Sequence, residues 1–202
     1  MKAPDAGPGK QVNAGMKEPL DSGAQSYLRY LEGDESAVSD IMNELFYGLV
    51  YFTDRYVHDI HAAEDIAMDV VSDLFVHRHR YNFKVSLKTY LYMRAKSRAL
   101  DLLRRRRAIV MTGLTEAEDR ESELYDLEGR LLMDERRRAV RGAIDKLPQD
   151  MREAVYLVYF ERLSYDEAAR VMKKSRKQVD NLLYRAKKEL RGILGEGGRE
   201  LL

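Results

Sequence analysis

Asn181, Arg185, Gln178 and Tyr184 stand among the bases Arg176, Lys177 and Lys188. These are the side chains that grip and read a nucleic acid: ammonium and guanidinium groups hold phosphates, while amides and guanidinium groups bond to base edges. Between residues 170 and 191 nine bases (Arg170, Lys173, Lys174, Arg176, Lys177, Arg185, Lys187, Lys188 and Arg191) meet only Asp180 and Glu189. A second basic group lies between residues 88 and 107, where Lys88, Arg94, Lys96, Arg98 and the run from Arg104 to Arg107 enclose Asp101, with Tyr90 and Tyr92 interleaved. Bases mixed with rings suit a single strand, because the rings stack on exposed bases. The same residues also suit a helix whose tyrosines pack and whose arginine end is solvated and favourably placed on the helix dipole. A third group is acidic. Asp65, Asp69 and Asp73 recur every fourth residue beside Ile66, Val70 and Leu74, so they share one helix face. With His58, His61, His77 or His79 they could be metal ligands of a nuclease or recombinase. Carboxylates along one face do not surround an ion, however, and no nucleophile or general base accompanies them, so no metal site is expected. Such a row is either tolerated on the surface or used against a basic partner.

The elements that position these groups are predicted to be helices. Ser164-Tyr165-Asp166-Glu167 and Ser175-Arg176-Lys177-Gln178 are two capping boxes, each opening a helix by satisfying its first amides. The first helix is short and carries Ala168, Ala169 and Met172, small enough for a second helix to cross closely; Lys173 and Lys174 make the turn. The second buries Val179, Leu182, Leu183, Ala186 and Leu190 and turns Arg176, Lys177, Asp180, Asn181, Tyr184, Arg185, Lys187 and Lys188 outward. A short helix, a tight turn and a longer basic helix form the arrangement that enters a DNA major groove. Gln178 can cap its helix or meet a base, and capping or phosphate contact is the expected role. Asn181 and Arg185 are the better base readers.

Upstream, helical spacing is nearly unbroken from residue 24 to residue 107. Gly33 ends a first helix and Asp34 is a candidate cap for the next, which buries Val38, Ile41, Met42, Leu45, Phe46, Leu49 and Val50. A third helix follows His58, and a fourth runs through Leu87, Leu91, Ala95, Leu100 and Leu103. Residues 108–129 then carry seven acids against Arg120 and read as a flexible acidic linker. Helical spacing resumes at Leu131, is cut by Pro148, and continues to Leu194; the Tyr156 to Phe160 run fits helix rather than strand. The expected fold is all-α: a tail at 1–23, a helical domain at 24–107, the linker at 108–129, a helix-turn-helix domain at 130–195 and a tail at 196–202.

Composition bounds this further. Lys and Arg number 35 and Asp and Glu 34, so the net charge of +1 gives no hint of nucleic acid until its segregation along the chain is seen. Without cysteine the chain has no disulfide and no thiolate-bound metal. No stretch is long and apolar enough to cross a bilayer, and residues 1–17 lack a signal-peptide core, so a cytoplasmic protein without membrane insertion is expected.

Taken in order, Gly33-Asp34-Glu35-Ser36-Ala37, Ala63-Glu64-Asp65-Ile66, Leu91-Tyr92 and Ser97-Arg98-Ala99-Leu100-Asp101-Leu102-Leu103-Arg104-Arg105 resemble the first domain of the extracytoplasmic-function sigma factors of bacterial RNA polymerase. Leu147-Pro148, Arg152-Glu153-Ala154-Val155, Leu163 to Ala169, Val179-Asp180-Asn181 and Tyr184-Arg185-Ala186 resemble the second. The resemblance spans nearly everything from residue 27 to residue 194.

It implies a region-2-like bundle and a region-4-like domain, and a non-enzymatic factor that directs core polymerase to promoters and helps melt them. By resemblance, Asp65, Met68, Asp69 and Asp73 would dock on the clamp coiled coil of core polymerase. Phe83, Lys84, Ser86, Lys88, Tyr90, Arg94, Lys96, Ser97, Arg98, Arg104 and Arg105 would melt the minus-ten element and capture its non-template strand. Arg176, Lys177, Gln178, Asp180, Asn181, Tyr184, Arg185 and Lys188 would meet the minus-thirty-five element. The linker would thread toward the active-site and RNA-exit channel. No cofactor and no small-molecule substrate are implied; an anti-sigma protein is a partner implied by resemblance alone. The sequence departs from the family at Met68, where glutamine is frequent, at Tyr90, where tryptophan is, and at Ser97, where asparagine is. The loop Asn82-Phe83-Lys84-Val85-Ser86 is short and lacks the common glycine, and Asp180 replaces a frequent base. An aspartate in the groove repels phosphate and accepts from a cytosine amino group, so the promoter sequence is open. A stand-alone helix-turn-helix regulator is the alternative; it leaves the basic-aromatic helix and the acidic linker without a purpose.

Overall fold

The computed structural model describes residues 20–111 and 135–195. Their regular elements are all helices, with no strand among the described residues, and the chain divides into two compact units, Met1–Ser122 and Glu123–Leu202. Of the expected tail at 1–23, residues 1–19 lie outside the described residues, while Ser22 and Gly23 already belong to the first helix; most of the acidic linker and residues 196–202 also lie outside them.

The first unit holds α1 (Ser22–Leu31), α2 (Ser36–Val57), α3 (Ile60–Val76) and α4 (Leu87–Met111). In its core Ile41, Leu45, Leu49 and Phe52 of α2 meet Val70 and Leu74 of α3 and Leu87, Leu91 and Tyr92 of α4, all at most 2% exposed; Val38, Met42 and Phe46 of the expected α2 stripe and Leu100 and Leu103 of the α4 stripe are only half-buried. Gly33, at φ 104°, makes the left-handed turn after α1, a conformation that costs glycine no steric strain. Asp34 then accepts from the Ser36 amide at 3.0 Å and so satisfies a free amide at the start of α2. Gly23 lies against Leu87 of α4, where an added Cβ would sit 3.3 Å from the leucine side chain. Tyr27, wholly buried, donates its phenol hydrogen to the carbonyls of Leu74 and Arg78, both at 3.1 Å, which ties α1 to the end of α3. Burial raises that phenol to about 12.

Asp59 caps α3 by accepting from the Ala62 amide at 3.1 Å, and Arg106 reaches back from α4 to bind it at 2.9 Å. Asp21 accepts from the Leu87 amide at 3.2 Å and Ser86 from the Thr89 amide at 3.2 Å, so α4 begins with its amides satisfied. The fourth helix runs past the expected end at Arg107 to Met111. Ala108 and Met111 favour helix, and no glycine interrupts before Gly113.

In the second unit are α5 (Glu135–Asp145), α6 (Gln149–Val155), α7 (Tyr165–Met172) and α8 (Arg176–Leu194). Pro148 stands immediately before α6 with φ −52°, where its missing amide hydrogen costs nothing. The aromatic run Tyr156–Phe160 continues α6 as one π-helical turn, and Arg162 at φ 57° leads out of it. Val179, Leu183, Ala186 and Leu190 of α8 pack on α6 and α7 around Leu157, Ala168 and Val171. Leu182 is only half-buried, at the margin of that stripe.

Candidate nucleic-acid and partner interfaces

The second unit presents its basic helix as the pattern requires. Ser164 accepts from the Glu167 amide at 3.3 Å while Glu167 accepts from the Ser164 amide at 2.9 Å, and Ser175 and Gln178 repeat the exchange at 3.2 and 2.7 Å. Both helices of the pair are therefore pinned at their first turns. Lys173, at φ 54°, makes the left-handed residue between them. Along α8, Arg176, Lys177, Asp180, Asn181, Arg185 and Lys188 are exposed, and Tyr184 is 72% exposed. An apolar ring held that far into solvent by a rigid helix is suited to a base edge or thymine methyl group. Gln178 is spoken for by its cap, which leaves Asn181 as the uncommitted amide on this face. Arg176 leans on Asp166 at 3.4 Å and Lys174 binds Asp150 at 2.9 Å. Lys187 bends back over the Tyr159 ring at 5.5 Å, and its hydrogen bond to that phenol holds its ammonium above the ordinary lysine range.

The first unit sorts the residues of α4 more finely than spacing alone could. Tyr92 is fully buried against Phe52, with ring centroids 5.0 Å apart, so it belongs to the core and stacks on no strand. Lys88 and Lys96 turn toward the α2 side, lying over Tyr92 at 5.9 Å and Tyr56 at 5.6 Å. Half-buried Tyr90 packs at a tilt on Tyr81, ring centroids 5.2 Å apart, and Met93, 37% exposed, and Ser97 follow it at three-and-four spacing on the outer side. Met93 escaped the sequence reading; its signal is an apolar residue out of phase with the buried Leu91, Ala95 and Ala99.

Phe83 is held at φ 57° and packs on Tyr81 at 4.6 Å, inside an aromatic cluster that includes Tyr27. Its loop is closed by Asn82 accepting from the Lys84 amide at 3.2 Å and by Tyr81 donating to the Val85 carbonyl at 2.8 Å. Lys84 is exposed at the tip. Ser86 caps α4 and binds Thr89 Oγ1 at 2.7 Å. Arg104 pairs with Asp101, and Arg105 is exposed.

Arg94 and Arg98 point elsewhere. They cross to α3, where Arg98 binds Asp69 at 2.7 Å and approaches Asp73 at 3.5 Å, and Arg94 binds Asp73 at 3.1 Å. Asp73 also takes Arg80 at 2.8 Å and His77 at 2.9 Å. Burial works to raise the Asp73 carboxyl, but the Arg94 hydrogen bond and the charges of Arg80 and Arg98 outweigh it and hold it below the ordinary carboxylate range. The acidic row is thus divided. Asp65, Met68 and Asp69 face solvent, the Asp69 side chain at 68% exposure, while the Asp73 side chain is 15% exposed and surrounded by bases. Among the described residues, no three His, Asp or Glu groups are gathered as metal ligands.

Comparison with known proteins falls on the same two units. Residues 49–109 match the family model of sigma-70 region 2, and residues 137–190 match that of sigma-70 region 4. The chain is 26% identical over 158 residues to the ECF RNA polymerase sigma factor SigM of Bacillus subtilis, covering 77% of this chain and 91% of that one. It is 29% identical over 171 residues to the RNA polymerase sigma-H factor of Pseudomonas aeruginosa, covering 80% and 88%. Among solved structures it is similar to the sigma factor RpoE of Bartonella quintana, solved with the anti-sigma factor NepR, with TM-score 0.58, 18% identity and coverage of 78% and 96%. It is also similar to CnrH, solved with the cytosolic domain of CnrY, with TM-score 0.55, 19% identity and coverage of 85% and 94%. The chain belongs to the sigma-70 family of RNA polymerase sigma factors, in its extracytoplasmic-function branch.

Proposed function

We propose that this chain is a dissociable initiation factor that binds core RNA polymerase, directs it to specific promoters and stabilises strand opening. The observation that carries the reading is the pairing of two basic helices on two separate units, one in the region 2 match and one in the region 4 match. In this reading α8 enters the major groove of the minus-thirty-five element, with Asn181, Tyr184 and Arg185 reading bases and Arg176, Lys177 and Lys188 holding phosphates. Around α4, Tyr90, Met93, Ser97, Arg104 and Arg105, with Lys84 at the loop tip, take the minus-ten strand. Asp65, Met68 and Asp69 meet the polymerase. The factor makes and breaks no covalent bond and works where the polymerase does, in the cytoplasm. Because RpoE of Bartonella quintana was solved with the anti-sigma factor NepR, a protein that masks these faces is proposed for this chain as well.

The test is to mix the full-length chain with core polymerase and a promoter library and to map transcription starts. Starts clustered downstream of a shared two-part motif are expected. A chain that binds DNA through α8 but never binds core polymerase would instead be a stand-alone regulator.

A further inference from the structure

Resting on this reading, one arrangement gives the first unit a property of its own. The bases suited to a single strand and the acids suited to the polymerase are bound to one another. Arg98 reaches both Asp69, at 2.7 Å, and Asp73, at 3.5 Å, and Arg94 reaches Asp73 at 3.1 Å. The two carboxylates differ in kind. Asp73 is sunk between α3 and α4 and shared by Arg80, Arg94, Arg98 and His77, so it is a fixed anchor. Asp69 keeps 68% of its side chain in solvent while holding Arg98, so a cation approaching from outside can bind the same carboxylate. Exposed pairs of this kind are weak, and one is readily exchanged for another.

We propose that Asp69 and Asp73 form a charge latch on the strand-binding face: in the free chain they hold Arg94 and Arg98 against α3, and a basic polymerase surface that engages Asp69 releases Arg98 to phosphate. Asp69 and Asp73 are positioning residues for the arginines. Strand binding and polymerase binding then favour each other by the same factor, because linkage is reciprocal. An exposed pair bounds that factor at about fivefold.

Asp65 supplies the comparison. It lies one turn before Asp69 on the same exposed face, and no ion pair is formed by it among the described residues. Asp65→Asn and Asp69→Asn therefore change the charge equally, but only the second removes the closer partner of Arg98 and leaves it the longer approach to Asp73, which three other bases share. The full-length variants are titrated without polymerase into a labelled single-stranded oligodeoxynucleotide of random sequence. Asp69→Asn should bind about threefold more tightly than Asp65→Asn, with a salt slope steeper by about one phosphate contact. Adding Arg98→Ala should abolish the difference. Equal binding by the two variants, or a gain that survives Arg98→Ala, overturns the latch. The exposure of Asp69 keeps the fold out of the comparison, and a helical circular-dichroism melt checks it. At saturating core polymerase the difference between the two variants should vanish; its persistence at full size overturns the release step. A wild-type chain that gives no promoter-directed starts with core polymerase defeats the promoter reading instead, whatever the oligonucleotide shows.

Discussion

Asn181 and Lys188 share a helix face but make different demands on DNA. A side-chain amide has its donor and acceptor in fixed relation and matches one base edge, whereas an ammonium group attracts any phosphate. Asn181→Ala should therefore relax preference at one or two base pairs of the minus-thirty-five element, by about 1–3 kcal/mol of discrimination. Lys188→Ala should weaken binding to all sequences and lower the salt slope by about one. Randomised-site selection with each variant checks both, and equal loss of preference in the two would mean that α8 enters the groove on another face. Asp73 makes a different demand, on pH. A carboxylate held down in the folded chain contributes stability above its unfolded value of about 3.9 and loses it as pH falls through the folded value. Asp73→Asn should thus cost about 1 kcal/mol at neutral pH, chiefly through Arg80 and Arg94 left without their anion, since Arg98 keeps Asp69. The deficit should shrink as pH drops below about 4, and paired thermal melts across that range measure it. A deficit independent of pH would assign Asp73 a packing role only.

At the scale of the element, the helix-turn-helix pair was legible because its signals are local. Each capping box lies within four consecutive residues, and the buried stripe of α8 repeats along the same helix. Ser164→Ala and Ser175→Ala should each lower the stability of the second unit by about 1 kcal/mol, read as a shift in denaturant midpoint with unchanged slope. Only Ser175→Ala should also weaken DNA binding, since it loosens the helix that carries Arg176 and Lys177. The fourth helix was legible as a helix but not in its facing. Tyr90 and Tyr92 are alike in the sequence and opposite in the fold, because what separates them is packing against Phe52 of a distant helix. Arg94 and Arg98 looked free for the same reason: their partners lie on α3, 21 and 29 residues away in sequence. The π-helical turn at Tyr156–Phe160 gave no sequence signal beyond helical spacing, since the extra residue that widens it is accommodated by surrounding contacts.

For the whole molecule the net charge of +1 conceals two basic helices separated in sequence by an acidic segment, and the fold adds a further distinction between those helices. On α8 the bases Lys177, Arg185 and Lys188 are exposed with no carboxylate bound to them among the described residues. On α4 the bases Arg94 and Arg98 are already neutralised by α3. Counterion release counts only charges free to displace ions from the phosphates. The polymerase-free chain should therefore bind duplex DNA with a salt slope to which Arg94 and Arg98 add nothing. Lys177→Ala should lower that slope by about one, and Arg94→Ala should leave it unchanged. In the holoenzyme on promoter DNA Lys177→Ala should still count, and Arg98→Ala should count as well, because the latch then releases Arg98 to the opened strand. Anisotropy titrations over a salt series, with and without core polymerase, separate the two cases. A slope that falls equally for Arg94→Ala in the free chain would show that the α4 bases contact DNA without the polymerase, and that the two units act alike rather than in sequence.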